Sequence, residues 1–104
     1  MPTGFAKPAG RFRMEFMDHA QRLKRLRFRA WHRGTREADM LVGGYFDRWH
    51  PAWTGAEADW FEAFLEEQDV DILAWAIGTA AVPARWQGPM MARLKDLDYI
   101  RHAG

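Results

Sequence analysis

The residues best suited to chemistry lie within Arg33-Gly34-Thr35-Arg36-Glu37-Ala38-Asp39, where four charged side chains surround one glycine. Guanidinium and carboxylate groups side by side offer bidentate donors and acceptors, a means of recognising another protein. A glycine among them lets a partner's backbone approach closely. The same residues also have local uses. Gly34 suits the left-handed cap that ends one helix, Arg33 a last-turn cation, and Glu37 a first-turn carboxylate facing the next helix's dipole, together worth about 1–3 kcal/mol. No local role accounts for all of the charges, Arg36 and Asp39 included. From the residues alone both roles stay open.

Bond-making catalysis lacks its parts. The chain has no serine and no cysteine, which removes the usual acyl-transfer nucleophiles, disulfides and thiolate metal ligands together. His19, His32, His50 and His102 are scattered, and none pairs with a second ligand at helical spacing on a convincing face. His19 with Glu15 comes nearest and reads as an exposed pair. Glu66-Glu67 and Asp69-Asp71 serve a helix exit and a helix entry more simply than they serve acid–base work. Gly43-Gly44 lies inside a helical stretch, so it is no phosphate loop. No catalytic, metal-binding or cofactor-binding residue is assigned, and the chain reads as a binding module and not an enzyme.

Two helices must meet at the charged stretch. Asp18 caps a first helix running to about His32, with Leu23, Leu26 and Ala30 inward and Arg22, Lys24, Arg25, Arg27 and Arg29 crowding the other positions. Thr35 caps a second, whose Ala38, Leu41, Val42, Tyr45, Phe46 and Trp49 recur at i, i+3, i+4, i+7, i+8 and i+11 and form a core face. Gly43-Gly44 should weaken that helix by about 1 kcal/mol per glycine, which predicts either the close approach of another helix, the favoured reading, or a bend. Pro51 interrupts, and Thr54-Gly55-Ala56-Glu57 matches a capping box opening a third helix to about Glu67. Its Trp60, Phe61, Phe64 and Leu65 point inward; Asp59, Glu62, Glu66 and Glu67 point outward.

Asp69 caps a fourth helix, Val70 to Ile77, that is apolar nearly all round and stops at Gly78. Such a helix is expected to be the central, most buried one, with Leu73 sharing a core with Leu41, Phe46, Phe64 and Trp75. Pro83 and Gly88-Pro89 predict either a single turn at 83–87 with a fresh start at Pro89, or a kink. Met90, Met91, Leu94 and Leu97 line the last helix. Strand alternation and repeats of fixed period are absent from the sequence. The fold expected is all-α: a compact five-helix bundle in a single domain over 18–100, behind a flexible N-terminal tail over 1–17 that lacks the apolar run of a secretory signal.

Composition agrees with a folded domain, at 48% hydrophobic and 28% charged residues, and no apolar run is long enough to insert in a membrane. The net charge of +1 hides an asymmetry: seven of fifteen basic residues fall between Arg22 and Arg36, and eight acidic ones between Asp47 and Asp71. Such a dipolar chain favours a protein partner over nucleic acid. Most of the six tryptophans fit core periods, while Trp31, Trp53 and Trp86, at element ends, could anchor a partner.

The run from Arg25 to Asp39, followed by Phe64-Leu65-Glu66-Glu67-Gln68-Asp69-Val70-Asp71-Ile72-Leu73-Ala74-Trp75, resembles the SdhE family of FAD assembly factors for succinate dehydrogenase. The likeness covers roughly residues 20–97. Arg33, Gly34 and Glu37 match the family's Arg-Gly-x-x-Glu motif, Asp39 matches the acidic residue that usually follows, and Asp69 to Trp75 matches its Asp-x-Asp block. The resemblance implies a helical assembly factor or chaperone that binds the flavoprotein subunit of succinate dehydrogenase or fumarate reductase and promotes covalent attachment of FAD to it. It implies no cofactor bound by the chain itself. Arg33, Gly34, Arg36, Glu37 and Asp39 become the expected partner-binding patch, exposed and of little weight in folding, in a bacterial cytoplasmic protein. The competing reading is a small helical regulator, antitoxin-like or nucleic-acid-binding.

Overall fold

Most local start and stop signals act where they stand in the chain. The computed structural model describes residues 8–102, and their side chains from 18 to 100. Helix α1 spans Pro8–Trp31, α2 Arg36–Trp49, α3 Gly55–Phe64, α4 Asp69–Ile77 and α5 Pro89–Asp96, with 3-10 turns at His50–Ala52, Ala84–Trp86 and Asp98–His102. Thr35 Oγ1 accepts from the Ala38 amide at 3.1 Å and caps α2. Thr54 and Glu57 form the reciprocal box, Thr54 N donating to Glu57 Oε1 at 2.9 Å and Glu57 N to Thr54 Oγ1 at 3.2 Å. That amide bond, helped by Arg93, holds the Glu57 carboxyl below its ordinary pKa. Between Pro83 and Pro89 lie the expected single turn and fresh start. The result is the five-helix, all-α bundle expected.

Three boundaries differ. Helix α1 begins at Pro8 and not at Asp18; of the tail expected over 1–17, residues 1–7 lie outside the described residues. Helix α3 ends at Phe64, short of Glu67. Gln68, and not Asp69, holds the N-cap position of α4, since its backbone is extended and Asp69 is already helical; the Asp69 carboxylate instead accepts from Arg33.

The central helix is α2. Ala38 and the unbroken run from Leu41 to Phe46 are buried, with α1, α4, α5 and the C-terminal turn packed around them. Leu26 and Ala30 of α1, Phe61 and Phe64 of α3, Ile72 and Trp75 of α4 and Leu94 of α5 complete one core. Tyr45 donates its hydroxyl to the Met90 carbonyl at 2.8 Å, which satisfies the one polar atom this large side chain brings inside. Gly43 has the close approach its position predicted, since a Cβ there would stand 2.2 Å from Cδ2 of Trp31.

Helix α4, in contrast, is peripheral. It buries Ile72, Trp75 and Ala76, but Val70 and Ile77 are 72% and 62% exposed. Apolar composition alone set the expectation of centrality; burial also needs an element on each side, and none among the described residues covers the Val70–Ile77 edge. Leu73 is accordingly at the core's margin while Ile72 is enclosed. Ile72→Ala should therefore cost about 2–5 kcal/mol and Leu73→Ala about half as much. Urea denaturation compares the two, and a larger loss for Leu73 would mean that α4 turns Leu73, and not Ile72, into the core.

Candidate partner-binding site

The elbow between α1 and α2 is built by short-range capping and locked by one long-range contact. Helix α1 closes with His32, whose ring stacks on Phe28 at 4.0 Å and whose Nδ1 lies 2.7 Å from the Phe28 carbonyl. A carbonyl only accepts, so Nδ1 carries the proton. Gly34 follows at φ +120°, a backbone region that side chains make costly. Nothing within 4 Å would obstruct a Cβ there, so the glycine is required by conformation and the surface above it is open.

Arg33 turns inward. Its Nε donates to Asp69 Oδ1 at 2.7 Å, Nη1 to the Leu65 carbonyl at 2.8 Å and Nη2 to the Glu67 carbonyl at 2.8 Å. Those carbonyls belong to the chain leaving α3, where acceptors are orphaned and the dipole is negative, so the guanidinium caps one helix while its Asp69 bond ties down the start of the next. The side chain is only 10% exposed. Asp39 works on the same joint from the other direction, its Oδ1 accepting from the Arg33 backbone amide at 2.5 Å. The expectation that Arg33 is exposed and of little weight in folding is therefore corrected: with Asp39 it holds the α3–α4 loop against the elbow. Gly34, Arg36 and Glu37 remain outside. Among the described residues, Arg36 and Glu37 have no hydrogen-bonding or ion-pair partner through their side chains. Gly34 and Arg36 border an open depression of about 630 Å³ that also touches Trp31, His32 and Met40.

The charge asymmetry resolves internally. Arg22 bridges Asp59 at 2.6 Å and Glu62 at 2.8 Å, Arg27 meets Asp47 at 3.1 Å, and Arg29 meets Glu66 at 2.5 Å. Exposed pairs of this kind add little stability each, yet they spend most of the basic face on the protein's own carboxylates. Glu67, expected to point outward, turns to Arg85 and to Trp86 Nε1, and these donors hold its carboxyl below the ordinary value.

Nor are the three tryptophans at element ends free anchors. Trp86 is buried, Trp53 sits among Tyr45, Phe46 and Phe61, and Trp31 covers Gly43 with its Nε1 on Asp47 Oδ2 at 3.2 Å. Among the described residues the exposed phenylalanine is Phe28, 63% accessible beside the elbow. Periodicity could have found it, because Phe28 falls off the Leu23, Leu26, Ala30 stripe. Among the described residues no three His, Asp or Glu side chains are grouped to hold a metal, and no helix is long and apolar enough to cross a membrane. The Glu15 side chain of the His19–Glu15 pair lies outside the described residues.

Residues 24–98 match the family described as flavinator of succinate dehydrogenase, Sdh5. The FAD assembly factor SdhE of Acetobacter pasteurianus is 36% identical over 85 residues, covering 82% of this chain and 78% of that one. Mitochondrial succinate dehydrogenase assembly factor 2 of Mycosarcoma maydis is 34% identical over 65 residues, covering 62% and 27%, and that of Candida glabrata is 33% identical over 76 residues, covering 69% and 50%. The matched stretch thus spans half or less of those fungal relatives.

Proposed function

We propose a function from one premise: the chain belongs to the Sdh5 family, the flavinators of succinate dehydrogenase, whose named relatives are assembly factors and not catalysts. It binds the flavoprotein subunit of succinate dehydrogenase, or of fumarate reductase, and promotes covalent attachment of FAD to a histidine of that subunit, in the cytoplasm of a bacterium. The flavin stays with the partner throughout.

The observation that carries this reading is that Arg36 and Glu37 stand unpaired beside the open Gly34 backbone, on an elbow that Arg33 and Asp39 hold rigid. Charged donors and acceptors without internal partners are available for a partner's polar groups, and a fixed elbow loses little entropy on docking. Gly34, Arg36 and Glu37 make the contact; Arg33 and Asp39 position them. The contribution is orientation: docked beside the flavin site, the patch holds a mobile segment of the flavoprotein so that its histidine faces the reactive flavin carbon, with no acid or base supplied from this chain.

Glu37→Ala is expected to leave the melting temperature within about 2 °C, since an exposed, unpaired carboxylate adds little to stability. It should cut covalent flavin in the partner several-fold, read as in-gel flavin fluorescence after denaturation. Gly34→Arg should do the same at some cost in stability, because φ at position 34 disfavours any side chain. Full flavinylation by both variants in cells lacking the native copy sinks the patch assignment.

A further inference from the structure

The two longest helices, α1 and α2, close on the same five-residue pattern, Phe28-Arg29-Ala30-Trp31-His32 and Phe46-Asp47-Arg48-Trp49-His50. The geometry repeats with it. His50 stacks on Phe46 at 4.3 Å with Nδ1 2.9 Å from the Phe46 carbonyl, as His32 does on Phe28. The surroundings of the two phenylalanines do not repeat. Phe46 has its remaining surface against Trp53 and Phe61, both at 5.6 Å between ring centroids, and is 1% exposed. Phe28 has His32 as its one ring contact among the described residues and is 63% exposed. One copy of the pattern is covered by aromatic rings, and the other lacks that cover.

The rim of the bare copy is cationic. Lys24 and Arg25 lie four and three residues before Phe28 on the same helix face, and neither has an ion-pair partner among the described residues. Arg36 is likewise unpaired across the elbow. A depression of about 380 Å³ lined by Lys24, Arg27, Phe28, Trp31 and His32 adjoins the one at the elbow, sharing Trp31 and His32 with it. The two form a trough with Trp31 and His32 between them; Lys24 and Arg27 line one end, and Arg36 lines the other beside Asp39, whose carboxylate is bonded to the Arg33 amide.

We propose that this trough binds an acidic segment of the flavoprotein partner, with an apolar or aromatic side chain of that segment seated on Phe28 where Trp53 and Phe61 cover Phe46. The proposal rests on the reading that the flavoprotein is the partner, and it adds a second contact on α1 to the elbow. The aromatic contact supplies affinity, since buried aromatic anchors dominate interfaces. Lys24, Arg25 and Arg36 choose an acidic segment and speed encounter.

The test is the dissociation constant of the full chain for the isolated flavoprotein subunit, by calorimetry at two salt concentrations. Phe28→Ala is expected to weaken binding about tenfold or more and Phe28→Trp to stay within about twofold of the unaltered chain. The double variant Lys24→Glu, Arg25→Glu should weaken it comparably and flatten its salt dependence. Circular dichroism should find all three folded. If Phe28→Ala binds within about twofold of the unaltered chain while Glu37→Ala does not, the trough is overturned and the elbow stands. If the unaltered chain fails to bind the flavoprotein, both readings fall. If a random DNA duplex at physiological salt binds more tightly than the flavoprotein, and Phe28→Ala abolishes that binding, the trough is a nucleic-acid site and the proposal is overturned.

Discussion

Arg33→Ala is expected to cost about 3–5 kcal/mol, a large share of the stability of a domain this size. The substitution removes three donors at once from a side chain that is 10% exposed and leaves the Asp69 carboxylate and the Leu65 and Glu67 carbonyls without them. Groups stranded in that way forfeit their solvation without compensation, and this penalty outweighs the modest net worth of the bonds themselves. Arg33→Lys keeps the charge but not the planar fork, so it should lose about half as much. Urea denaturation measures both, with Glu37→Ala as the neutral control. A loss below about 1 kcal/mol for Arg33→Ala would refute the inward guanidinium. A consequence for function follows: flavinylation lost in an Arg33 variant reports a collapsed elbow, whereas flavinylation lost in Glu37→Ala reports a missing contact.

Gly43→Ala should change sign with its neighbour. In the native chain the new methyl would stand 2.2–2.6 Å from three atoms of the Trp31 ring, too close for any real contact. The ring is itself held by Asp47, so helices α1 and α2 must separate, at a cost of about 1–3 kcal/mol net of the better helix propensity. In a Trp31→Ala background the obstruction is gone, and the same substitution should stabilise by up to about 1 kcal/mol through propensity alone. A thermal-denaturation double-mutant cycle isolates the coupling. Additive effects would mean that Trp31 does not lie on Gly43.

Much of the helical framework was legible because its signals act over a few residues. Thr54 and Glu57 satisfy each other three positions apart, Thr35 reaches the Ala38 amide, Gly78 takes the left-handed cap, and Pro89 starts a helix that no residue before it could continue. Such contacts depend on local geometry that any tertiary arrangement preserves. The apolar spacing of α2 was equally plain, and so was the meaning of Gly43 as a place of close approach.

What the tertiary structure decided are the partners that lie far apart in the chain. Arg33 looked like a loose last-turn cation, and its engagement with Leu65, Glu67 and Asp69 depends on the α3–α4 loop folding back over the elbow. Asp69 looked like a cap for its own helix, and its carboxylate instead accepts from that guanidinium. The basic residues Arg22, Arg27 and Arg29 showed in the sequence only as charges crowding the outer positions of their helix, and helix packing gave them Asp47, Asp59, Glu62 and Glu66 of the same chain. Helix α4 carried the most uniformly apolar sequence and still lies at the edge, since composition measures the gain from burial while topology determines which faces are covered. Phe28 and Phe46 make the point within a single motif: the residues dictate the ring stack on histidine in both places, and the neighbours that fold brings alongside determine which phenylalanine is buried and which is left bare.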